Sequence, residues 1–482
     1  MKNFRFLSVL LALLLVVSCA FIGCDKKGDN GQSQSGSQSQ SGSDSTPEVI
    51  EPPVYQTATD NVAPNGYVRK EFFSCPDGNH TYTDAPAFYF DTENVKAYLV
   101  FDCQNCYDNQ LIDALLTIQD TPVSENYNGI TCDITNTKWA TASATFDGVN
   151  YVATSRVTSF HTPEQIKVYS TIPANLWSTA NGRKEKSKPL ETTLSWAFDS
   201  VITGNYKLTI ALDSKLENIV EVIETTKTSV GLTNLLVGQS YYCKIEQLLS
   251  NGESLSLTYD FVTNCSAPRN LDLSSVTNAR DLGGHFTSNG NRVKQGLIYR
   301  TARLDSLSGS TADQKGLEAL TKLGIKTQID LRGNPDDDIL HYPFGDKIDY
   351  LYLPMTTKKG NIIEAEENFD SLKAVFETFA YQNAYPIVFH CSIGTDRTGA
   401  VAFLLNALLG VDFDTLKQDY IFSLYGQIGG SRNGDVIDDY AQILAQHAPE
   451  ANTLQEQAYL YLTEVVGVHP YHLDEIIDNM LY

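Results

Sequence analysis

The stretch Pro386-Ile-Val-Phe-His-Cys-Ser-Ile-Gly-Thr-Asp-Arg-Thr-Gly-Ala400 decides the fold of the second half of this 482-residue chain. Its short apolar run ends at His390-Cys391, and a second apolar run follows Arg397. A strand that enters a tight loop and then a helix turns unpaired N–H groups and the positive end of the helix dipole toward one point. A cysteine thiolate is favoured there, and an arginine offers a planar fork to phosphate oxygens. The pattern predicts a cysteine nucleophile beneath a bound phosphoryl group.

The roles of the loop residues follow from this geometry. Attack by the Cys391 thiolate would give a phosphocysteine that water then hydrolyses, and we predict no cofactor and no metal for this step. Arg397 and the loop N–H groups are expected to bind the phosphate oxygens. Thr398 is placed to donate to the departing thiolate, whereas His390 should point to the opposite face of the strand and orient the loop. The predicted phosphate-binding residues are Ser392, Ile393, Gly394, Thr395 and Thr398.

The loop resembles the active-site loop of the cysteine-dependent protein tyrosine phosphatases. It is most similar to a bacterial tyrosine phosphatase family whose loop reads His-Cys-x-x-Gly-Lys-Asp-Arg-Thr-Gly. The stretch Asn278-Ala-Arg-Asp-Leu-Gly-Gly284 is similar to that family's opening segment, and segments 296–301 and 323–332 follow at similar spacing. The resemblance covers about residues 270–482. One position departs: Thr395 stands where the family has a lysine associated with acceptance of phosphoinositides, and the change weakens the local positive field.

The proton donor to the leaving group has two candidates. The resemblance implies Asp396, the loop aspartate beside the arginine, and Asp330 at a strand end is the alternative. Each also has a structural interpretation: a salt bridge for Asp396, and a strand-end cap or a partner of Arg332 for Asp330. Segment 350–359, where dual-specificity relatives carry an acid, contains no aspartate.

The N-terminus predicts export. A basic start and an apolar run of about a dozen residues form a signal peptide over 1–24, too short to span a membrane. Two cysteines follow lipobox-like sequences, and we favour lipidation at Cys24, the alternatives being Cys19 or an ordinary signal peptide. Residues 25–54, rich in Gly, Ser and Gln, read as a flexible linker. The expected location is the outer face of a bacterial membrane, at the cell surface or in the periplasm, with the lipid as the sole membrane contact.

The formal net charge of −23 argues against nucleic acid and anionic membrane surfaces as partners. A phosphorylated substrate must therefore be attracted by a local positive site. The alternative interpretation is that the acidic surface serves only to keep the protein soluble.

Six further cysteines lie outside the signal peptide and the loop: Cys75, Cys103, Cys106, Cys132, Cys243 and Cys265. Export makes disulfides the expected state of most of them, without fixing the pairing. A four-cysteine zinc site is the alternative, since Cys103 and Cys106 have ligand spacing. We expect Cys243 to be a buried free thiol in a strand.

The predicted fold class is multidomain, with N-terminal all-β modules followed by an α/β cysteine phosphatase domain. Residues 55–165 are β-rich with no assigned role, and 166–265 resemble a fibronectin type III sandwich. Trp196 is suited to its inter-sheet core, and Tyr241 to a tyrosine corner. Residues 268–482 alternate strands with helices, and we predict helices over 369–381, 398–409, 414–423, 436–446 and 454–466.

Three functions fit these features. The leading hypothesis is a surface-anchored protein tyrosine phosphatase acting on phosphotyrosine proteins. A phosphatase of inositol phosphates or phosphoinositides, small phosphorylated molecules, would use the same loop but would need a more basic pocket than Thr395 provides. A non-catalytic surface binding protein is the third.

Overall fold

The computed structural model describes residues 62–70, 75, 78–119, 125–127, 130–172, 176, 180–198, 204–248, 254–304, 311–333, 348–357 and 361–482. The predicted signal peptide, both lipidation candidates (Cys19 and Cys24) and the linker 25–54 lie outside these residues. Within the described ranges, none of the helices has the length and apolar character needed to cross a membrane.

Strands dominate the first half of the chain and recur between helices in the second. They are β1 (Ala87–Asp91), β2 (Lys96–Phe101), β3 (Gln110–Gln119), β4 (Glu125–Tyr127), β5 (Ile130–Ile134), β6 (Thr137–Phe146), β7 (Val149–Thr158), β8 (Thr192–Phe198), β9 (Asn205–Ala211), β10 (Ile219–Thr225), β11 (Ser229–Leu232), β12 (Ser240–Leu248), β13 (Ser254–Thr263), β14 (Arg280–Asp281), β15 (Ile298–Thr301), β16 (Thr327–Asp330), β17 (Asp349–Tyr352) and β18 (Ile387–His390).

Helices concentrate in the second half. They are α1 (Pro163–Ser170), α2 (Thr311–Lys322), α3 (Phe369–Ala380), α4 (Asp396–Leu408), α5 (Phe413–Phe422), α6 (Asp435–His447), α7 (Leu454–Leu460) and α8 (Pro470–Met480). A π-helical turn, Tyr461–Val465, continues α7.

Two sheets form the β half. The larger has the strand order β1-β2-β3-β6-β7-β13-β12-β9-β10, and the smaller has the order β11-β8-β5-β4. Their shared core contains Trp196, which packs edge-on against Tyr206 with ring centroids 5.6 Å apart. The Tyr241 hydroxyl accepts a hydrogen bond from the Leu236 N–H at 2.8 Å, the bond expected of a tyrosine corner.

The two β segments share both sheets. Strand β5, from the first segment, pairs with β8 of the second, and β7 pairs in parallel with β13 through Val157 and Val262. The predicted boundary at 165/166 therefore does not separate the sheets. The strand pairings make one continuous β half over about residues 87–263, and the fibronectin type III assignment stays a prediction.

The α/β half, residues 268–482, is built on a five-stranded sheet. Its order is β14-β15-β18-β16-β17, with β14 antiparallel and the other neighbours parallel. In register, Thr301, Asp330 and His390 lie side by side at the carboxyl ends of the three central strands. Helix α4 follows the central strand β18 and is almost entirely buried. Cys391 thus lies where ligands bind in open parallel sheets, as the strand–loop–helix pattern predicts.

The two halves are joined by buried polar contacts. Arg292 of the α/β half is 6% exposed and donates to Val237 O at 2.9 Å and to Cys265 O at 3.4 Å in the β half. Its guanidinium also lies over the Tyr89 ring, 4.9 Å from the centroid. The interface is therefore a packed interior, and either half alone would expose an arginine or lose its donor.

The cysteines correct one expectation. No disulfide joins the described cysteines, so the predicted disulfides are wrong for those residues. Cys243 is buried and free as predicted, and Cys132 is buried in the same core. Cys265 is also buried, and burial raises the pKa of its thiol well above the ordinary value. The physical reason is separation: sulfur atoms in the one cysteine cluster lie 3.5–3.8 Å apart, far beyond the S–S bond length of about 2.05 Å.

Candidate active site

The candidate nucleophile lies at the base of a closed loop. Cys391 follows β18 and is 1% exposed, and α4 begins five residues later at Asp396. The first turn of α4 therefore points its N–H groups and positive dipole end at the loop. Arg397, the second residue of the helix, reaches back so that its Nη2 donates to Ser392 Oγ at 3.2 Å. Cysteine, helix terminus and guanidinium thus converge on one point.

The loop carbonyls are held on its outer side. Ser392 O accepts from Arg303 N at 3.3 Å, and the Asn278 amide donates to the carbonyls of Ile393 and Gly394, both at 3.0 Å. In a trans peptide the C=O and the next N–H point in opposite directions. The N–H groups that follow these carbonyls consequently face away from Asn278 and Arg303, which is the arrangement an oxyanion needs.

Gly394 is required by a close approach. Its φ is +69°, and a Cβ there would lie 2.4 Å from Thr301 O. Only glycine combines this left-handed backbone with that contact. The loop therefore packs against the end of β15, the strand beside β18.

A buried ion network supports the loop from behind. Arg300 donates to Gly394 O at 2.8 Å and to Asp419 Oδ2 at 2.5 Å. Arg280 donates to Asp419 Oδ1 and to Asn278 Oδ1, both at 2.6 Å, which fixes the Asn278 amide toward the loop. Burial raises the pKa of the Asp419 carboxyl, but Arg280 and Arg300 outweigh burial and hold that pKa below its ordinary value. One carboxylate therefore positions both side chains that bind the loop carbonyls.

Arg300 and Arg397 differ in how their positive charges are used. Burial and the neighbouring Arg280 lower the pKa of Arg300 to about 10. Arg300 thus stays cationic at neutral pH and is engaged by Asp419 and the loop. Arg397, at the loop opening, is the guanidinium whose position suits an incoming phosphate.

Thr398 and Thr395 are both fully buried. The Thr398 hydroxyl makes no hydrogen bond to any other described residue, which leaves it available to the sulfur or to a ligand. Thr395, in contrast, lies against the supporting amide, with Asn278 Nδ2 3.4 Å from its Oγ1. The residue at the family's lysine position therefore serves the support side of the loop.

Asp396 forms a two-point ion pair. Its Oδ1 lies 2.8 Å from Arg432 Nε, its Oδ2 lies 3.2 Å from Arg432 Nη2, and the Tyr420 hydroxyl donates to Oδ1 at 3.4 Å. The carboxylate is about one-third exposed, so it remains accessible beside the loop. Asp396 therefore forms the salt bridge that was its structural interpretation, and its partner Arg432 lies 36 residues further along the chain.

Asp330 and His390 lie together beneath the loop and are fully buried. Arg332 donates twice to Asp330, with Nε–Oδ1 2.9 Å and Nη2–Oδ2 2.7 Å, and the Tyr350 hydroxyl donates at 3.0 Å. Burial raises the pKa of the Asp330 carboxyl, but His390 and Arg332 lower it by more than burial raises it. The net pKa lies below the ordinary value, so the carboxyl is ionised and unsuited to donate a proton. His390 faces Gln328, with ring and amide nitrogens 2.9 Å apart. Both residues support the loop from the strand side.

The β half reaches the segment that carries Arg432. Gly182 N donates to Leu424 O at 2.9 Å, and Gly182 O accepts from Gly429 N at 2.8 Å. Lys186 N donates to Tyr425 O at 2.6 Å. Segment 180–187 therefore fixes residues 424–430, which lead directly to Arg432.

Residues 271–481 match the model of the tyrosine phosphatase family. This stretch, which is less than half of the chain, is therefore similar to that family. The match ends just after helix α8.

Two relatives cover the same half. A protein from Cupriavidus necator, provisionally named a tyrosine-protein phosphatase, is 30% identical over 175 residues, or 32% of this chain and 62% of the relative. A tyrosine-protein phosphatase from Nostoc commune is 32% identical over 164 residues, or 30% of this chain and 53% of the relative. The chain thus spans less than two thirds of either curated relative.

A solved structure also aligns. The core catalytic domain of PP-IP phosphatase SIW14 from S. cerevisiae, in complex with citrate, is 18% identical with a TM-score of 0.22. The alignment covers 33% of this chain and 94% of that domain.

Proposed function

We propose that the chain is a protein tyrosine phosphatase that forms a phosphocysteine at Cys391. The observation that carries the proposal is the convergence of Cys391, the α4 terminus and Arg397 in a loop whose carbonyls are bound on the outside. Such a loop binds three phosphate oxygens and holds a sulfur below the phosphorus.

The reaction proceeds in two steps. The Cys391 sulfur attacks phosphorus, the S–P bond forms, and the P–O bond to the leaving group breaks while that oxygen takes a proton. Water then attacks phosphorus and passes a proton to the Asp396 carboxylate, the S–P bond breaks, inorganic phosphate leaves, and the sulfur departs as a thiolate. Thr398, whose buried hydroxyl makes no hydrogen bond to other described residues, donates to that thiolate. Arg397 and the loop N–H groups stabilise the charge in both steps.

Asp396 is the proposed proton donor. It is accessible beside the loop, whereas Asp330 is fully buried and held ionised by its neighbours. Donation requires that an arriving substrate loosen the pair with Arg432. Asp396→Asn should slow hydrolysis of aryl phosphates with poor leaving groups by about 100-fold or more and leave good leaving groups nearly unaffected. Equal losses on both would remove Asp396 from this role.

Phosphotyrosine is the proposed substrate class because the loop binds one phosphate with one guanidinium. The loop supplies Thr395 instead of a lysine, and that threonine is buried on the support side. Polyphosphorylated rings would meet little additional positive charge from the loop.

The test uses the full chain and three substrates: a phosphotyrosine peptide, a phosphoinositide and an inositol polyphosphate. We expect the peptide to be hydrolysed fastest and acid quenching to trap label on Cys391. Cys391→Ser should bind the peptide without turning it over. Turnover that survives this substitution refutes the cysteine mechanism, whereas faster hydrolysis of either inositol substrate refutes only the substrate class.

We further propose that the protein is lipid-anchored outside the cell through Cys24. The proposal is supported by the signal-like residues 1–24 and the polar linker 25–54. Metabolic labelling with a fatty acid should mark the chain, and Cys24→Ala should abolish the label while Cys19→Ala preserves it. The reverse pattern would move the anchor to Cys19, and labelling of neither site would refute lipidation.

A further inference from the structure

A second cysteine site lies in the β half, away from the phosphatase loop. Four side chains, Cys75, His80, Cys103 and Cys106, place one ligand atom each within 4.8 Å of all the others. The three Sγ–Sγ distances are 3.5, 3.6 and 3.8 Å, and His80 Nδ1 lies 3.4 Å from Cys106 Sγ. We call these four residues the thiol cluster.

The distances match the edges of a coordination tetrahedron. Zinc binds thiolate sulfur at about 2.3 Å and imidazole nitrogen at about 2.0–2.1 Å. A regular tetrahedron with those bonds has S···S edges of about 3.8 Å and S···N edges of about 3.6 Å. The observed separations agree within about 0.3 Å, and a disulfide between any pair would need the sulfurs to approach to about 2.05 Å.

The backbone brings the ligands together. Residues 81–83 pair antiparallel with 102–104, through Thr83 N to Asp102 O and Gln104 N to Thr81 O, both at 2.9 Å. Tyr82 lies opposite Cys103, so His80, two residues earlier, lies near Cys106, and the two residues between Cys103 and Cys106 bring both sulfurs to one point. Chain pairing thus assembles three of the four ligands, and Cys75 completes the set.

Asp108 supplies the outer contact that metal-bound histidines use. Its Oδ2 lies 3.1 Å from His80 Nε2, so Nε2 carries the proton and Nδ1 presents its lone pair to the cluster. The backbone N–H of Asp108 also donates to Cys106 Sγ at 3.4 Å, a contact that favours a thiolate. A carboxylate, a histidine and a sulfur cluster in this order are the arrangement of a metal centre.

We propose that Cys75, His80, Cys103 and Cys106 bind one Zn²⁺ in a closed tetrahedral site. Three thiolates and one imidazole fill the coordination sphere, so the ion is structural and takes no part in phosphoryl transfer. Soft sulfur ligands in tetrahedral geometry favour zinc over magnesium or calcium.

The site would join two chain segments that both contact the last helix. On one side, the Tyr67 hydroxyl donates to Asp474 at 2.6 Å and Lys70 Nζ donates to Asp478 at 2.8 Å. On the other, the Tyr107 hydroxyl donates to Asp478 at 2.7 Å. A metal held by Cys75 and Cys106 between these contacts would fix the N-terminal arm, residues 62–70, to α8.

The experiment measures metal in the full-length protein purified under reducing conditions with zinc present. We expect one zinc per chain by elemental analysis. Exchange into Co²⁺ should give the intense ligand-field bands of a tetrahedral site and thiolate-to-metal charge transfer. Cys106→Ser and His80→Ala should lose the metal or bind it much more weakly. Cys265→Ala and Cys391→Ser, which remove thiols elsewhere, should keep the full zinc content.

Three results would overturn the site. One is zinc content that does not fall in Cys106→Ser, and another is a disulfide among Cys75, Cys103 and Cys106 in wild-type protein purified under the same reducing, zinc-containing conditions. Where Cys106→Ser fails to fold, the Co²⁺ spectrum of the wild type still decides, since octahedral bands or absent charge transfer contradict thiolate ligation. Limited proteolysis adds a readout that does not depend on turnover: chelation should expose the arm to cleavage, and an unchanged digest would refute the proposed linkage.

Discussion

Cysteine occurs in two opposite settings in this molecule. In the phosphatase loop, Cys391 is a single thiol beneath Arg397 and a helix N-terminus. In the thiol cluster, Cys75, Cys103 and Cys106 lie within 3.8 Å of one another beside a histidine. An arginine and backbone N–H groups recruit an anion, whereas three sulfurs and an imidazole recruit a cation. The residues around each thiol, and not the thiol itself, determine whether the site binds an anion or a cation.

The two settings also differ in how they are held. The phosphatase loop depends on residues far apart in sequence, including Asn278, Arg300 and Asp419. The thiol cluster is assembled within residues 75–108 by backbone pairing and one carboxylate. Distant substitutions should therefore disturb the loop and spare the cluster.

The largest expected effect is the loss of turnover when the Cys391 nucleophile is removed while the thiol cluster stays intact. Cys391→Ser should lower turnover of a phosphotyrosine peptide by on the order of 10⁴-fold or more, because removing a nucleophile leaves only binding and charge stabilisation. Zinc content should stay at one per chain. Kinetics and elemental analysis on the same preparation check both statements, and loss of metal in this variant would make the two sites interdependent.

The second effect tests the buried network behind the loop. Asp419→Asn leaves Arg280 and Arg300 without their carboxylate and should lower the free energy of unfolding by about 3–5 kcal/mol. Chemical denaturation at neutral pH measures the loss. Asp438→Asn is the matched control, because its ion pair with Lys417 is partly exposed and should contribute no more than about 1 kcal/mol. Similar losses in both variants would contradict the network's role.

The same variant has a defined pH dependence. Since the folded-state pKa of Asp419 lies below the ordinary value, the stabilisation is fully present above the unfolded pKa of about 4 and is lost as the pH falls through the folded pKa. The stability difference between wild type and Asp419→Asn should therefore shrink below about pH 4. A difference that grows on acidification would reverse the sign of the argument.

The third effect tests the contact between the halves. Gly182→Ala places a Cβ 2.0 Å from Gly430 O, so segment 424–430 must shift and Arg432 with it. We expect a stability loss of about 1–3 kcal/mol and up to about 100-fold lower turnover with poor leaving groups. Gly148→Ala, also left-handed at φ +75° but with open space around it, controls for backbone strain. Equal effects in both would show that the contact does not matter, and zinc content should not change in either.

The smallest effect concerns the outer contact of the cluster. Asp108→Asn should weaken zinc binding by about 10-fold to 100-fold, because His80 loses the carboxylate that orients its ring. Competition with a chromophoric chelator gives the affinity. Asp113→Asn, an exposed carboxylate on β3, is the control and should leave the affinity unchanged. Unaltered affinity in Asp108→Asn would mean that the protein orients His80 by other contacts.

Local patterns predicted local structure well. The helix expected over 369–381 is α3, Phe369–Ala380, and the loop of Cys391 lies between a strand and a helix as expected. The predicted tyrosine corner is confirmed by the bond from Leu236 N to Tyr241. Helix α8 was not predicted, although Pro470 at its first position is a known start signal.

Non-local partners could not be predicted in the same way. Asp419 and Arg432 are single polar residues in helical or loop stretches, and nothing near them in sequence marks their contacts with Arg300 and Asp396. The alternative of a four-cysteine zinc site did not include His80, and Cys132 is buried in the inter-sheet core, so it does not belong to the thiol cluster. The five-residue step from Cys75 to His80, read together with Cys103 and Cys106, was the available signal.

Arg292 limits where this chain can be divided into fragments. A fragment that begins near Pro268 would carry the guanidinium into water and leave Val237 O and Cys265 O without their donor in the other piece. Recombination or engineering that treats the halves as interchangeable parts would therefore damage both at a single side chain. The two halves therefore form one structural unit, and the α/β half can be transplanted only together with the surface that receives Arg292.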